Sequence, residues 1–483
     1  MSNKFDLNNV KKIYFVGIGG TSMSGLALMS KSNGFDVSGS DMRPCSYTEK
    51  LEKRGVTVLI GHRKENVPRD CDLVVYSAAI HQDNVELVTA KDYGIPLMER
   101  SYFLGKLSHF YPKTIAVSGT HGKTTTSSLT ALMLYNAMMD PSVSIGGTLE
   151  QLGGNSRMGE SEYFVIEACE FVDSFLHTQH FIGTVLNIEE DHLDYFTGGI
   201  EQIAQSFLKF AQILPQEGLL IANGDDPYVK SKVIPYVRCH VTTFGIGEEN
   251  EWRAVNIRYD KHGKPTFDVL KQGALYGTFS LRIPGKHNVM NALSVIACGD
   301  FLQIAGEVIQ RTFSEFAGAR RRFEFCGEVE GVKVFEDYAH HPTELRVTIE
   351  ACKNYEHNKL WVVFQPHTYS RTFFLFDQFV DAVKEADEVI FNDIYSDREA
   401  NDWNIYSEDL AERVSTKHNI PCEVITKFSD IVEYLCKNVV PGDFVLVAGS
   451  QSINQVAHDL VGALEECLRN KNGAEETKSV SAI

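Results

Sequence analysis

The sequence predicts an α/β protein of three domains, and three observations carry that prediction. Short β-branched runs are followed, again and again, by a turn and then by helical periodicity, the alternation that builds parallel sheets covered by helices. The chain has 483 residues, which at roughly 150 per domain makes room for about three cores. Polar clusters follow the strands, at the edge where open α/β sheets gather ligands. The expected divisions are 1–111, 112–318 and 319–469, with 470–483, polar and rich in Ser, Lys and Glu, a disordered tail.

The composition, 43% hydrophobic and 23% charged, is that of an ordinary soluble globular protein. A net charge of −18 argues against nucleic acid or an anionic membrane as partner, so any phosphate must be met locally by cations and helix ends. The 10 cysteines include no C-x-x-C pair, which excludes a zinc ribbon and reads as reduced thiols in the cytoplasm. The N-terminus lacks an apolar h-region and no run reaches 18 apolar residues, so no membrane insertion is expected.

In the first division, Lys12 to Gly20 (K-I-Y-F-V-G-I-G-G) reads as a buried strand ending in glycines, and Thr21 to Ser32 as a helix. Gly17, Gly19 and Gly20 permit close approach to a diphosphate, or else form a structural tight turn. Ser22 stands where a G-x-G-x-x-G pattern needs glycine. Strand Phe35 to Ser40 ends at Asp41, near the spacing at which an acid meets a ribose. A third strand, Asp72 to Ser77, follows.

The central division opens on strand Thr114 to Val117, the loop S-G-T-H-G-K-T-T-T (Ser118 to Thr126), and a helix over Ser127 to Met139. Strand, glycine-rich turn and helix form a phosphate-binding context. Gly119 and Gly122 allow the turn, Lys123 reaches β/γ-phosphates, and the Thr124 hydroxyl suits Mg²⁺. The loop is a shortened form, since Val117 stands where G-x-x-x-x-G-K-[ST] has its first glycine. Strand Tyr163 to Glu167 and strand Thr184 to Ile188 bring Glu167 and His192 to the same sheet edge as the loop, where both suit a bridging Mg²⁺; taken singly, Glu167 reads equally well as an exposed strand-end acid, and His192 reads more readily as a core or surface histidine than as a ligand. Arg253 to Ile283 alternates like antiparallel strands. His287, Asn288 and Asn291 open a helix over Val289 to Ile304; their edges suit an adenine, while Asn288 serves equally as an N-cap.

Arg320-Arg321-Arg322 marks the next junction, either a clamp for a transferring phosphoryl group or a solvated basic turn. The third division carries strands Val332 to Asp337, Leu360 to Phe364, Glu388 to Asn392 and Phe444 to Ala448.

The ordered set G-I-G-G-T-S-M-S-G, S-G-S-D, S-G-T-H-G-K-T-T-T, N-I-E-E-D-H-L-D, G-K-H-N-V-M-N-A-L, R-R-F-E, D-Y-A-H-H-P-T-E and Q-P-H-T-Y-S-R-T resembles the Mur ligases over residues 11 to 465. The resemblance implies a Rossmann-like UDP-sugar domain, a central P-loop ATPase-type domain and a Rossmann-like C-terminal domain. It implies ATP-dependent joining of L-alanine to the lactyl carboxylate of UDP-N-acetylmuramate through an acyl phosphate. A related muramyl-peptide ligase and a catalytically silent nucleotide-sugar-binding paralogue are the alternatives, and a monomer or weak homodimer is expected. By the same resemblance, Gly119, Thr120, His121, Gly122, Lys123, Thr124 and Thr125 surround ATP, with Lys123 on the phosphates. Thr124 and Glu167 hold one Mg²⁺, and Glu167 and His192 a second. His287, Asn288 and Asn291 surround the adenine, Arg321 or Arg322 meets the γ-phosphate, and Asp337 meets the ribose. His340, His341, His367 and Arg371 face the muramyl carboxylate and the amino acid. Amides of Gly19 and Gly20, with Asp41 and Ser77, hold the UDP moiety. The chain departs from the family run D-E-S-D at Cys169-Glu170-Phe171-Val172, and from G-A-G-D-I at Ala448 to Ile453.

Overall fold

A computed structural model describes residues 6–77, 79–396 and 399–480, with side chains through residue 469. Its strands fall into three successive sheets. The first contains β1 (Lys12–Val16), β2 (Asp36–Asp41), β3 (Thr57–Ile60), β4 (Leu73–Tyr76) and β5 (Leu97–Glu99) in the order β3-β2-β1-β4-β5, all parallel. Its helices are α1 (Thr21–Ser32), α2 (Ser46–Lys53), α3 (Val85–Asp92) and α4 (Arg100–Ser108).

The second sheet takes β6 (Lys113–Ser118), β7 (Ser142–Leu149), β8 (Gly154–Arg157), β9 (Tyr163–Glu167), β10 (Ile182–Val185), β11 (Leu219–Asn223), β12 (His240–Gly245), β13 (Trp252–Tyr259), β14 (Pro265–Lys271) and β15 (Ala274–Ser280). Their order is β15-β14-β13-β12-β11-β10-β6-β9-β7-β8. At its heart β6 lies parallel between β9 and β10, while β13, β14 and β15 form the expected antiparallel edge. The helices are α5 (Lys123–Asn136), α6 (Gly199–Gln212), α7 (Lys286–Phe301) and α8 (Gly306–Glu315). β6 is buried from Thr114 to Ser118, so it reads as a continuous apolar run rather than an alternation.

The third sheet holds β16 (Glu324–Val329), β17 (Val332–Asp337), β18 (Leu360–Phe364), β19 (Glu388–Phe391), β20 (Cys422–Val424) and β21 (Phe444–Ala448), ordered β16-β17-β21-β18-β19-β20. The pair β16–β17 is antiparallel and the remaining pairs are parallel. Helices α9 (Pro342–Cys352), α10 (Tyr369–Phe374), α11 (Phe376–Ala382), α12 (Ser407–His418), α13 (Phe428–Asn438) and α14 (Gln455–Val480) cover it.

Three expectations shift. The helix after the phosphate loop begins at Lys123 rather than Ser127, because the threonines continue the helix instead of the turn. The strand expected at Thr184 to Ile188 is Ile182–Val185, since the chain must leave the sheet to form the loop bearing Asn187 and Glu189. The segment expected as a disordered tail from 470 continues α14 to Val480; its Ala, Glu and Lys residues are good helix formers. Residues 481–483 of that tail lie outside the described residues.

The two junctions between sheets differ in chemistry. The first sheet's core is continuous with one face of the second: Phe103, Leu104 and Leu107 of α4 join Phe164, Phe175 and Phe207 in one buried cluster. Tyr111 meets Phe164 at 4.7 Å, and a Cβ on Gly105 would come within 2.4 Å of the His177 carbonyl oxygen, so α4 is seated backbone to backbone. The third sheet has its own cores, and its junction with the second is made by the polar groups described next.

Candidate active site

Everything at the site starts from the C-terminal end of β6. Gly119 (φ 147°) and Gly122 (φ 82°) occupy backbone conformations that L side chains avoid. Space forbids a side chain too, since a Cβ on Gly119 would lie 2.8 Å from Leu186 Cβ, and one on Gly122 2.6 Å from Asn291 Oδ1. Lys123, first residue of α5, folds back over the loop. Its ammonium donates to the carbonyls of Gly119 (2.5 Å) and Thr120 (2.9 Å) and to both Glu170 oxygens (2.9 and 3.1 Å). Burial opposes its charge, but Glu170 outweighs burial and the pKa rises above the ordinary lysine value.

Glu167 ends β9 beside the loop, in register with Val117. The Thr124 hydroxyl donates to Glu167 Oε1 (3.2 Å) and the Gly146 amide to Oε2 (2.8 Å). A Cβ on Gly146 would meet Glu167 Oε1 at 2.6 Å, and one on Gly147 would meet Thr124 Cγ2 at 2.8 Å, so bare backbone cradles the pair. A hydroxyl and a carboxylate held this way are the hard oxygen ligands that Mg²⁺ takes. His192 is grouped differently from expectation. Its ring clusters with Glu170 and Asp191, ligand atoms within 4.8 Å of one another, while Glu167 is committed to Thr124 and Gly146. The reason is local: His192 takes a left-handed backbone (φ 53°) just after Asp191, which carries its ring against Phe171 (4.5 Å) and toward Glu170.

The run Glu189-Glu190-Asp191 clasps the third sheet. Glu189 accepts from the Thr343 hydroxyl at 2.6 Å, the Glu190 carbonyl lies 3.0 Å from His341 Nε2, and Asp191 accepts from Arg371 Nε at 2.8 Å and Nη2 at 3.3 Å. His121 sits between Glu189 and Glu344, 3.4 Å from each. Burial works against its protonation, but the two carboxylates prevail and lift it to about 9. His341, packed at a tilt against His121 at 4.4 Å, goes the other way: burial lowers it to about 4. Its Nδ1 accepts from the Thr343 amide, so the neutral ring donates through Nε2 to Glu190.

Two residues expected to face substrate are held at the junction here. His341 is 2% exposed and caps α9, and Arg371 is 8% exposed with its guanidinium shared between Asp191 and His367. The acids of 189–191 engage both. His340 lies 5.8 Å from His367, with Nδ1 2.9 Å from the Tyr338 carbonyl and 3.5 Å from Glu344; burial lowers it to about 3.

Arg321 and Arg322 separate as well. Arg322 lines a cavity of about 240 Å³ beside the loop and lies 3.8 Å from Glu344. Arg321 turns to the 449–451 loop, donating to the carbonyls of Gly449 (2.9 Å), Ser450 (3.3 Å) and Gln451 (2.6 Å). The left-handed φ of Arg321 (62°) sends the two neighbouring side chains apart. Of the two, only Arg322 lines the cavity.

The same cavity is lined by His121, Gly122, Thr125, His287, Asn288, Asn291 and Asp337, with Phe244, Ile283, Met290 and Val347 as an apolar wall. Asn288 is not an N-cap: Gly285 occupies that position, and the Asn288 side-chain amide donates back to the Pro284 carbonyl (2.7 Å), ahead of the helix. Burial lowers His287 to about 4. Asp337 is raised to about 6 by burial, only partly offset by Arg322 and by the amides of Phe323 and Ala339.

The glycine turn of the first sheet departs from expectation. The Gly19 amide donates to Asp41 Oδ2 (2.9 Å), the Gly20 amide to the Gly17 carbonyl (3.2 Å), and the Ser77 hydroxyl accepts from Ala79 (3.2 Å). The groups meant for a diphosphate close on one another, because Asp41 at the end of β2 is adjacent to the turn after β1.

Sequence reasoning passed over Glu170, Glu189, Asp191 and Glu344. The run N-I-E-E-D-H holds two of these positions, Glu189 and Asp191, yet only its histidine carries a reading from sequence alone.

Family models match three consecutive stretches: the Mur ligase family catalytic domain over 12–112, the Mur ligase middle domain over 117–299, and the Mur ligase glutamate ligase domain over 321–451. The chain is 45% identical over 456 residues to the UDP-N-acetylmuramate–L-alanine ligase of Alkaliphilus metalliredigens, covering 94% of this chain and 98% of that one. It is 44% identical over 452 residues to the ligase of the same name from Acetivibrio thermocellus, covering 93% and 96%. The solved UDP-N-acetylmuramate-alanine ligase of Thermotoga maritima superposes with a TM-score of 0.77 at 27% identity, over 94% of this chain and 99% of that one. A murein peptide ligase from Psychrobacter arcticus gives 0.69 at 25%, over 94% and 98%.

Proposed function

The chain belongs to the Mur ligase family, and from that premise we infer that it is an ATP-dependent ligase joining L-alanine to the lactyl carboxylate of UDP-N-acetylmuramate. The observation that carries the reading is a phosphate loop that gathers Lys123, Glu167 and Glu170 beside a cavity lined by His121, Gly122 and Arg322, with residues of two sheets supplying its walls.

A carboxylate cannot expel oxide, so the enzyme first converts that oxygen into part of a phosphate leaving group. We assign Lys123 and the amides of the Gly119–Thr124 loop to the phosphates, and Arg322 to the charge developing on the transferring group. Binding must first release Lys123 from Glu170. Apolar Phe244, Ile283 and Met290 take the base, with His287 and Asn288 at its edge and Asp337 near the ribose. Thr124 and Glu167 fit Mg²⁺, and Glu170, Asp191 and His192 offer a second position; a bound cation would neutralise the phosphate oxygens. His340 and His367 flank the place for the amino acid. The amino acid attacks as its free amine, and neutral His340, too weak a base to deprotonate an ammonium, is able to accept a hydrogen bond from that amine. Gly19, Gly20, Asp41 and Ser77 would receive the UDP moiety after exchanging their internal hydrogen bonds.

The junctions suggest how turnover is gated. The apolar first junction holds its two sheets as one body, while the ionic junction at 189–191 is the one built to open. We take the divisions 1–111, 112–318 and 319–469 as the working domains. No helix among the described residues is long and apolar enough to cross a membrane, and we place the enzyme in the cytoplasm, as a monomer or weak homodimer. The test is phosphate release with UDP-N-acetylmuramate against single amino acids and against a tripeptide. Release with alanine is expected; release only with the tripeptide would assign a peptide ligase instead.

A further inference from the structure

Three groups of described residues are able to hold a metal ion, and two of them line the ATP site. The third lies on the far strand pair of the last sheet. We propose that Cys326, Glu336 and His458 form a site for a thiophilic divalent cation of the zinc class, which staples β16, β17 and α14 together.

The three ligands are brought together by the fold alone. Cys326 is the extra residue of a β-bulge, since Phe325 pairs with Phe335 while Gly327 pairs with Val334. Glu336 is the neighbouring residue on β17, and His458 belongs to the first turns of α14, which packs across both strands. A thiol, an imidazole and a carboxylate make a borderline-soft set that favours Zn²⁺ over Mg²⁺.

The carboxylate points to a ligand independently. The Glu336 side chain is 3% exposed, and its Oε2 is buried with no hydrogen-bond donor. His458 Nε2 lies 3.5 Å from that oxygen. Burial, followed by the like charge of Glu324, raises the Glu336 pKa against the opposing pull of His458 and Arg321 and a hydrogen bond that Asn454 gives the carboxylate. A buried acceptor this poorly matched is costly unless a cation or proton joins it.

The ligand atoms lie within 4.8 Å of one another. Tetrahedral zinc, with bonds of ~2.3 Å to sulfur and ~2.0 Å to nitrogen or oxygen, wants them ~3.3–3.7 Å apart. His458, whose side chain is 56% exposed, is free to supply that contraction, and solvent would fill the fourth position. Burial pushes the Cys326 thiol up to about 12, so the S–metal bond forms as the S–H bond breaks and the proton leaves to water. Affinity should therefore rise with pH.

The experiment is Co²⁺ titration of the full-length protein, read by the thiolate-to-cobalt charge-transfer band, with Zn²⁺ thermal shifts in parallel. The other two metal-competent groups contain no sulfur, so the band reports this site. We expect a saturable band that Zn²⁺ bleaches, its loss in Cys326→Ser, a weaker affinity in His458→Gln, and a Zn²⁺-induced rise in Tm that Cys326→Ser abolishes. Phosphate release by Cys326→Ser with Mg²⁺ and no zinc should match the parent. No band in the parent protein, a band that survives Cys326→Ser, or a His458→Gln protein indistinguishable from the parent would overturn the assignment.

Discussion

Replacing Arg371 by Ala should open the molecule. Arg371 donates two hydrogen bonds to Asp191, and the two side chains are 7% and 9% exposed, so this is a buried pair spanning the junction. Removing one partner of a buried pair costs roughly 3–5 kcal/mol, because the remaining charge is stranded. Here Asp191 escapes by opening, where water reaches it. The penalty therefore falls on the closed form, and the closed-to-open ratio should drop between roughly 10²- and 10⁴-fold. Small-angle scattering should show a larger radius of gyration for Arg371→Ala without ligands, and kcat/KM should fall with it. Adding Asp191→Asn removes the stranded charge, so the double variant should recover part of the compaction. A radius unchanged in the single variant, or a double variant more open than the single, would refute the reasoning.

Lys123→Ala should lose roughly 10²–10³ in rate through a missing charge-assisted phosphate contact; circular dichroism should be unchanged, and adding Glu170→Gln should restore any lost Tm without restoring activity. Gly146→Ala places a methyl 2.6 Å from Glu167 Oε1, and the displaced carboxylate should raise the Mg²⁺ concentration for half-maximal activity roughly 10–100-fold at unaltered fold. His121, held at about 9 by Glu189 and Glu344 against burial, contributes stability in full below its unpaired value of about 6.5 and loses it as pH rises through about 9. Tm should fall across that window, and His121→Asn should flatten the fall.

Much of this was legible in the chain because it depends on local pattern. The buried run of β6, the glycines at 119 and 122 and the lysine after them specify a phosphate loop without help from the rest of the fold. Glu167 was legible for the same reason, as the last residue of a continuous apolar strand. What stayed hidden depends on neighbours far away in sequence. Arg371 and His341 look like substrate ligands until Asp191 and Glu190 arrive from the second sheet. Gly19 looks like a free amide until β2 sets Asp41 against it. Arg321 and Arg322 are adjacent in sequence, and only a left-handed backbone at Arg321 separates their roles. Cys326, Glu336 and His458 share no motif; a bulge and a helix packed over it unite them.

The account stands most directly on the acyl phosphate. UDP-N-acetylmuramate carrying a heavy-oxygen label in its lactyl carboxylate should pass one labelled oxygen to the released phosphate during alanine-dependent turnover. Phosphate free of the label, with the departing heavy oxygen found in water instead, would contradict it.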